Sequence, residues 1–173
     1  MNVTDSQDFT RQERLRFLHR CYQQTDEQVR YSNHKASYIL TTVGAVFVGC
    51  GAALLGPKIE NPTDIALLIS GLVLCGASGA ASCVAIFPII RHRQGSTARS
   101  LMFFGSISRM SVHEYVETVR GLTEGQIEEE LARQIHTLSC LAQEKYHWVR
   151  ISTAILAPSM LLLFGAFIGI FTR

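Results

Sequence analysis

His113-Glu114 begins like a helical zinc-protease motif, in which a second histidine one turn later completes the metal pair. Position 117 is Glu, so that pair is not formed and the motif fails. The five cysteines offer no alternative. No CxxC occurs, and the cysteines form no disulfide or metal framework. Cys50, Cys75 and Cys83 fall in apolar runs, where a thiol behaves as a small packing residue. Cys21 and Cys140 fall in segments assigned to the reducing cytoplasm, where disulfides are rare. There is no Gly-rich phosphate loop after a strand and no GxSxG. No catalytic group and no metal site are expected, and the chain is read as a non-enzyme. What remains is cationic chemistry. Lys35, Arg91, Arg93, Arg99, Arg109, His136, Lys145 and Arg150 accompany Tyr31, Phe103, Phe104, Tyr146 and Trp148. Such a set can neutralise a phosphate while an aromatic face stacks a base. Basic residues of this kind also flank membrane spans, where they hold topology and touch anionic lipid. Glu128, Glu129 and Glu130 read as a solvated helix face.

The elements that must carry these residues are set by charge patterning. No Asp, Glu, Lys, Arg or His occurs in residues 36–57, 65–90 or 151–172. Roughly 20 apolar residues cross about 30 Å of hydrocarbon, so each run is long enough to span. No carboxylate, Lys, Arg or His lies within them, which argues against a proton relay or ion pathway. The first 35 residues are polar, so no secretory signal is expected and the first span is retained. Of the sixteen Lys and Arg, six precede the first span and eight lie in residues 91–150; only Lys58 and Arg173 lie elsewhere. The positive-inside rule therefore places the N-terminus and the middle segment in the cytoplasm and the C-terminus outside.

Helical signals fill the rest. Thr10 and Glu13 fit a capping box, with Leu15, Leu18, Tyr22, Thr25 and Val29 at spacings of three and four. No Pro or Gly follows before the first span, so one rod is predicted over residues 10–55. Ser111 and Glu114 begin a short helix that ends near Gly121. Thr123 and Gln126 begin a long one, with Ile127, Leu131, Ile135, Leu138, Ala142 and Val149 in register. It is predicted to run into the third span, with a kink at Pro158. Residues 101–105 form an apolar knot after the basic linker, readable as an interfacial anchor or a pocket wall. No strand pattern occurs. The expected fold is an all-α membrane protein: a cytoplasmic N-terminal helix (1–35), a first span (36–57), an outer loop (58–64), a second span (65–90), a cytoplasmic helical region (91–150) and a third span (151–171).

Within the spans, small residues recur every four positions. Gly71, Cys75, Gly79 and Cys83 do so in the second, and Ala45, Gly49 and Ala53 in the first. Gly165 and Gly169 make a GxxxG in the third. Small residues let helix backbones approach closely in lipid. Packing within the chain uses some of these faces; self-association is expected to use the remainder, making the protein a homo-oligomer.

Three patches in this order around the spans carry a resemblance: "NHKASYILTTVGAV" from Asn33, "LMFFGSISRMSVHEYVETV" from Leu101 and "LARQIHTLSCLAQEKYHWVRISTAIL" from Leu131. Together they resemble the membrane effectors of Pycsar anti-phage systems, the PycTM-type domain, over about residues 10–171. The family pattern has an acidic residue two positions before the lysine; here that position is Asn33. The resemblance implies a partner cyclase that makes cUMP or cCMP on infection, and an effector that responds by impairing the bacterial inner membrane, so that the cell stops growing or dies. It implies no cofactor beyond that regulatory ligand and no nucleic-acid partner. Residue chemistry and the matched patches together mark Lys35, Arg109, His136, Lys145 and Arg150 as the candidate anion site, with Phe103 or Phe104 as apolar contacts. Two other readings suit the same spans: a non-gated membrane scaffold that docks a partner through the Leu15–Leu18–Tyr22–Val29 face, and a holin-like pore former.

Overall fold

The computed structural model describes residues 11–54, 61–87, 101 and 104–172. The described residues are almost entirely helical, in the order α1 (Arg11–Leu54), α2 (Pro62–Ile86), α3 (Phe104–Ile107), α4 (Val112–Arg120) and α5 (Glu124–Phe171). α1, α2 and α5 are long and apolar enough to cross a membrane. The structure is an all-α membrane protein with three spanning helices.

The ends of these helices follow their capping residues. At α2, Asn61 Oδ1 accepts the Thr63 N–H at 3.0 Å and Pro62 occupies the first helical position, where its missing donor costs nothing. The helix therefore starts inside the segment read as the outer loop, and Asp64 lies buried in its first turn. At α4, Ser111 Oγ accepts the Glu114 N–H at 3.1 Å, and Gly121 closes the helix. At α5, Gln126 Oε1 accepts the Thr123 N–H at 2.8 Å while Thr123 Oγ1 accepts the Gln126 N–H at 3.4 Å. This is a reciprocal capping box. α5 then runs for 48 residues, with Pro158 inside it. The box expected at Thr10 lies outside the described residues, as do the basic linker and Met102 and Phe103 of the apolar knot.

The chain divides into two compact units, Met1–Gln28 with Arg91–Cys140, and Val29–Ile90 with Leu141–Arg173. α1 and α5 each contribute to both. In the first unit, Leu101 donates its N–H to Glu130 Oε1 at 3.0 Å, and Tyr115 donates its hydroxyl to the Leu101 carbonyl at 3.4 Å. Glu130 thus departs from the solvated face expected of it, because it anchors the return of the chain onto α5. Glu129 keeps that role, paired with Arg133 at 2.7 Å on the exposed surface.

In the second unit the three spanning helices meet at two levels. Ala36, Ala85 and Val149 are buried together at one, with Ile39, Ile86 and Trp148 against them. Cys50, Leu68, Leu163 and Ala166 are buried together at the other. α1 and α5 therefore run in the same direction and α2 returns between these levels. Between α2 and α5 the seam is hydroxylic. Ser78 Oγ bonds the Ser152 carbonyl at 2.9 Å, Ser152 Oγ returns a bond to the Ser78 carbonyl at 2.8 Å, and Ser82 Oγ lies 2.7 Å from Ser152 Oγ. Farther along, Ser159 Oγ donates to the Gly71 carbonyl at 2.9 Å. All four serines are fully buried. In lipid there is no water to replace these partners, and an interhelical hydrogen bond is worth about 0.6–1.7 kcal/mol. Ser152→Ala removes several at once. It is expected to cost about 1–2 kcal/mol in detergent unfolding, whereas Ser70→Ala, which removes only a local bond on an exposed face, changes stability by a few tenths. Equal losses in the two variants would show that the seam adds nothing.

Candidate functional site

Lys35 is the last charge before the uncharged run of α1, and Arg150 the last before that of α5. Because the two helices run in parallel, these residues come to one place. A groove of about 410 Å³ is lined by Lys35, Tyr146, Val149, Arg150, Thr153 and Ala154. Lys35 and Arg150 are both exposed. The Lys35 ammonium lies 4.4 Å from the centroid of the Tyr31 ring, one helical turn back, a distance at which the ring face attracts a cation. The Thr153 hydroxyl is turned to its own helix, donating to the Val149 carbonyl at 2.8 Å. The groove thus presents two cations and a tyrosine above an apolar floor.

Lys145 is placed differently. Its side chain is only 4 % exposed, and its Nζ is turned to the helix junction. It donates to Asn33 Oδ1 at 2.6 Å, to the Ala85 carbonyl at 3.1 Å and, more weakly, to the Ile86 carbonyl at 3.5 Å. The last carbonyls of a helix have no intrahelical donor and carry the negative end of its dipole. Lys145 therefore caps α2 while binding α1, so one ammonium ties all three spanning helices. Burial pushes this ammonium below the ordinary lysine value.

The remaining candidates lie elsewhere. Arg109 and His136 belong to the unit that contains residues 91–140. Both are exposed, and His136 Nδ1 is 3.9 Å from Cys140 Sγ, one turn along α5. Phe103 lies outside the described residues, and Phe104 is described only as the first residue of α3. The helix-packing candidates divide as well. A Cβ at Gly71 would meet Leu163, one at Gly79 would meet Val43, and one at Gly169 would press on the Asp64 carboxylate. Gly165 has Leu67 at an ordinary 4.0 Å, and Gly49 has nothing within 4 Å. Among the described residues no three His, Cys, Asp or Glu side chains cluster as metal ligands would.

Residues 17–172 match the PycTM family, the Pycsar effector protein domain. The chain belongs to that family. Among curated proteins, the Pycsar effector protein PtPycTM of Propioniciclava tarda is similar, at 24% identity over 152 residues that cover 84% of this chain and 74% of the relative. No solved structure matches. The PycTM match extends from α1 to the end of α5 and so takes in the three spanning helices, the Lys145 junction and the groove.

Sequence reasoning missed two features of this PycTM chain. One is the serine seam. Ser78 and Ser82 stand four apart, and Ser152 and Ser159 seven apart, in otherwise uncharged runs; that spacing places each pair on one helix face and could have signalled a shared seam. The other is the burial of Lys145 against Asn33, a pairing across 112 positions that no local pattern carries.

Proposed function

We propose that this PycTM chain is the membrane-impairing effector of a Pycsar anti-phage system. A pyrimidine nucleotide cyclase makes cUMP or cCMP on infection. The effector responds to that ligand, impairs the inner membrane, and the infected cell stops growing or dies. The protein acts without catalysis and without a resident cofactor. Its N-terminus and residues 91–150 lie in the cytoplasm, its C-terminus outside, and it works as a homo-oligomer. Family membership carries this reading.

Two features support it. α1 and α5 are unbroken helices that each contribute residues to both units, which suits an effector with an equilibrium between two states. A ligand shifts such an equilibrium only by binding two states unequally; the exposed guanidinium of Arg109 is suited to receive a phosphate, and the exposed His136 ring can donate a hydrogen bond. For the oligomer, Ala45 and Gly49 form an exposed small-residue face on α1, available to a second copy, whereas Gly71, Gly79 and Gly169 are engaged within the chain.

The test is leakage. The purified protein is placed in dye-loaded vesicles of bacterial lipid, and cUMP and cCMP are added separately. Release that depends on one or both is the expected result. Release without nucleotide would instead identify a constitutive pore, and silence under every condition would favour a scaffold.

A further inference from the structure

We infer that the groove between α1 and α5 is a binding site for the phosphodiester of one anionic phospholipid. This rests on the membrane reading and the proposed orientation, and is independent of the nucleotide. Lys35 and Arg150 stand at the two points where the chain loses all charge, so they mark the head-group level of the cytoplasmic leaflet. Among the described residues neither side chain makes an ion pair, and Arg150 makes no hydrogen bond. Two like charges at one groove repel, and an anion between them relieves that repulsion. Arginine adds a fork of donors that matches two phosphate oxygens.

The shape of the groove fits the rest of a lipid. Thr153 and Ala154 continue from the cations along α5 into the uncharged run, buried Val149 also lines the groove, and the Thr153 hydroxyl is already bonded to its own backbone. The outer part of the lining is charged and the inner part is apolar, as a head group followed by an acyl chain requires. A cyclic pyrimidine nucleotide carries the same phosphodiester chemistry. Its base, however, presents an edge of donors and acceptors, and the lining contains no carboxamide or carboxylate to read it. Buried Lys145, being committed to Asn33 and the end of α2, does not compete for the ligand. A lipid in this groove would touch both α1 and α5 and hold the mouth between them.

Full-length protein in neutral detergent, without nucleotide, is titrated with phosphatidylglycerol and separately with phosphatidylcholine, and retained lipid is counted by native mass spectrometry. One phosphatidylglycerol per chain is expected to persist at concentrations where phosphatidylcholine is lost. Each cation near the membrane surface is worth about fivefold in affinity. Lys35→Gln with Arg150→Gln should therefore weaken retention roughly thirtyfold, and the equally charged control Arg14→Gln with Arg16→Gln should leave it intact. Ala154→Trp, which fills the groove at unchanged charge, should also abolish retention and guards against a folding defect in the double variant. Equal retention of the two lipids, or an equal loss in the Arg14/Arg16 control, would overturn the site. So would displacement of the lipid by cUMP or cCMP one for one, since the groove would then belong to the nucleotide.

Discussion

Lys145→Met lowers the midpoint of thermal unfolding in detergent by roughly 5–15 °C. The methionine keeps the length and apolar stem of the side chain but offers no donor. Asn33 Oδ1 and the Ala85 carbonyl are then left without the ammonium that serves them, and each orphaned buried acceptor costs about 1–3 kcal/mol. In a chain of this size about 1 kcal/mol corresponds to roughly 2–4 °C. The loss has a pH signature that a mere packing defect lacks. Burial lowers the affinity of Lys145 for its proton below the ordinary value of 10.5, so the unfolded chain binds that proton more tightly than the folded one. Stability then rises as pH climbs through the window that ends near 10.5, and below the window the penalty is constant. The advantage of wild type over Lys145→Met should therefore widen between neutral and alkaline pH. A constant or shrinking difference would mean that the ammonium is not held as described. Asn33→Asp is the complementary variant. It places a carboxylate against the ammonium, strengthens the bond by charge and restores the lysine's proton affinity. It should raise the midpoint and flatten the pH dependence.

Gly71→Val is expected to destabilise the spans by several kcal/mol, and Gly71→Ala by about 1–3 kcal/mol. A Cβ at position 71 would stand 2.7 Å from Leu163 Cγ, 2.8 Å from Cδ2 and 3.3 Å from the Leu163 backbone nitrogen. The leucine side chain can swing away, but its backbone cannot without moving α5. Leu163 is itself only 3 % exposed in the cluster with Cys50, Leu68 and Ala166, so the swing has little room. The same movement stretches the bond from Ser159 to the Gly71 carbonyl. Gly49→Ala is the contrast. With nothing near its Cβ inside the chain, it should leave the monomer's unfolding midpoint unchanged or slightly raised, since alanine favours helix. If Gly71→Ala proves harmless under the same conditions, α2 and α5 are not in the close contact that the structure shows.

Both predictions concern residues whose chemistry was visible in the chain but whose partners were not. Gly71 stood out as one of a four-residue repeat, yet so did Gly49, and nothing local separates a glycine under a leucine from one facing open space. Lys35, Arg150 and Lys145 looked alike as cations near a span. Lys35 and Arg150 share a groove because α1 and α5 run in parallel. Lys145, five residues before Arg150, lies on another face of α5 and is turned to the end of α2.

Charge patterning and capping residues suffice to define the class of this protein and the order of its helices. Three runs without charge define three spans, because a bilayer admits only segments that satisfy their own backbone and carry no unpaired charge. Capping residues at Ser111 and Thr123 set the starts of α4 and α5, because caps act within one turn. Which buried hydroxyls meet, that one lysine ties three helices, and which two cations face the same groove follow only from how the helices pack. Those pairings join residues 59 to 115 positions apart, and their energy arises only when helix faces are brought together. Periodicity gives each helix a face; it does not say which face another helix will cover.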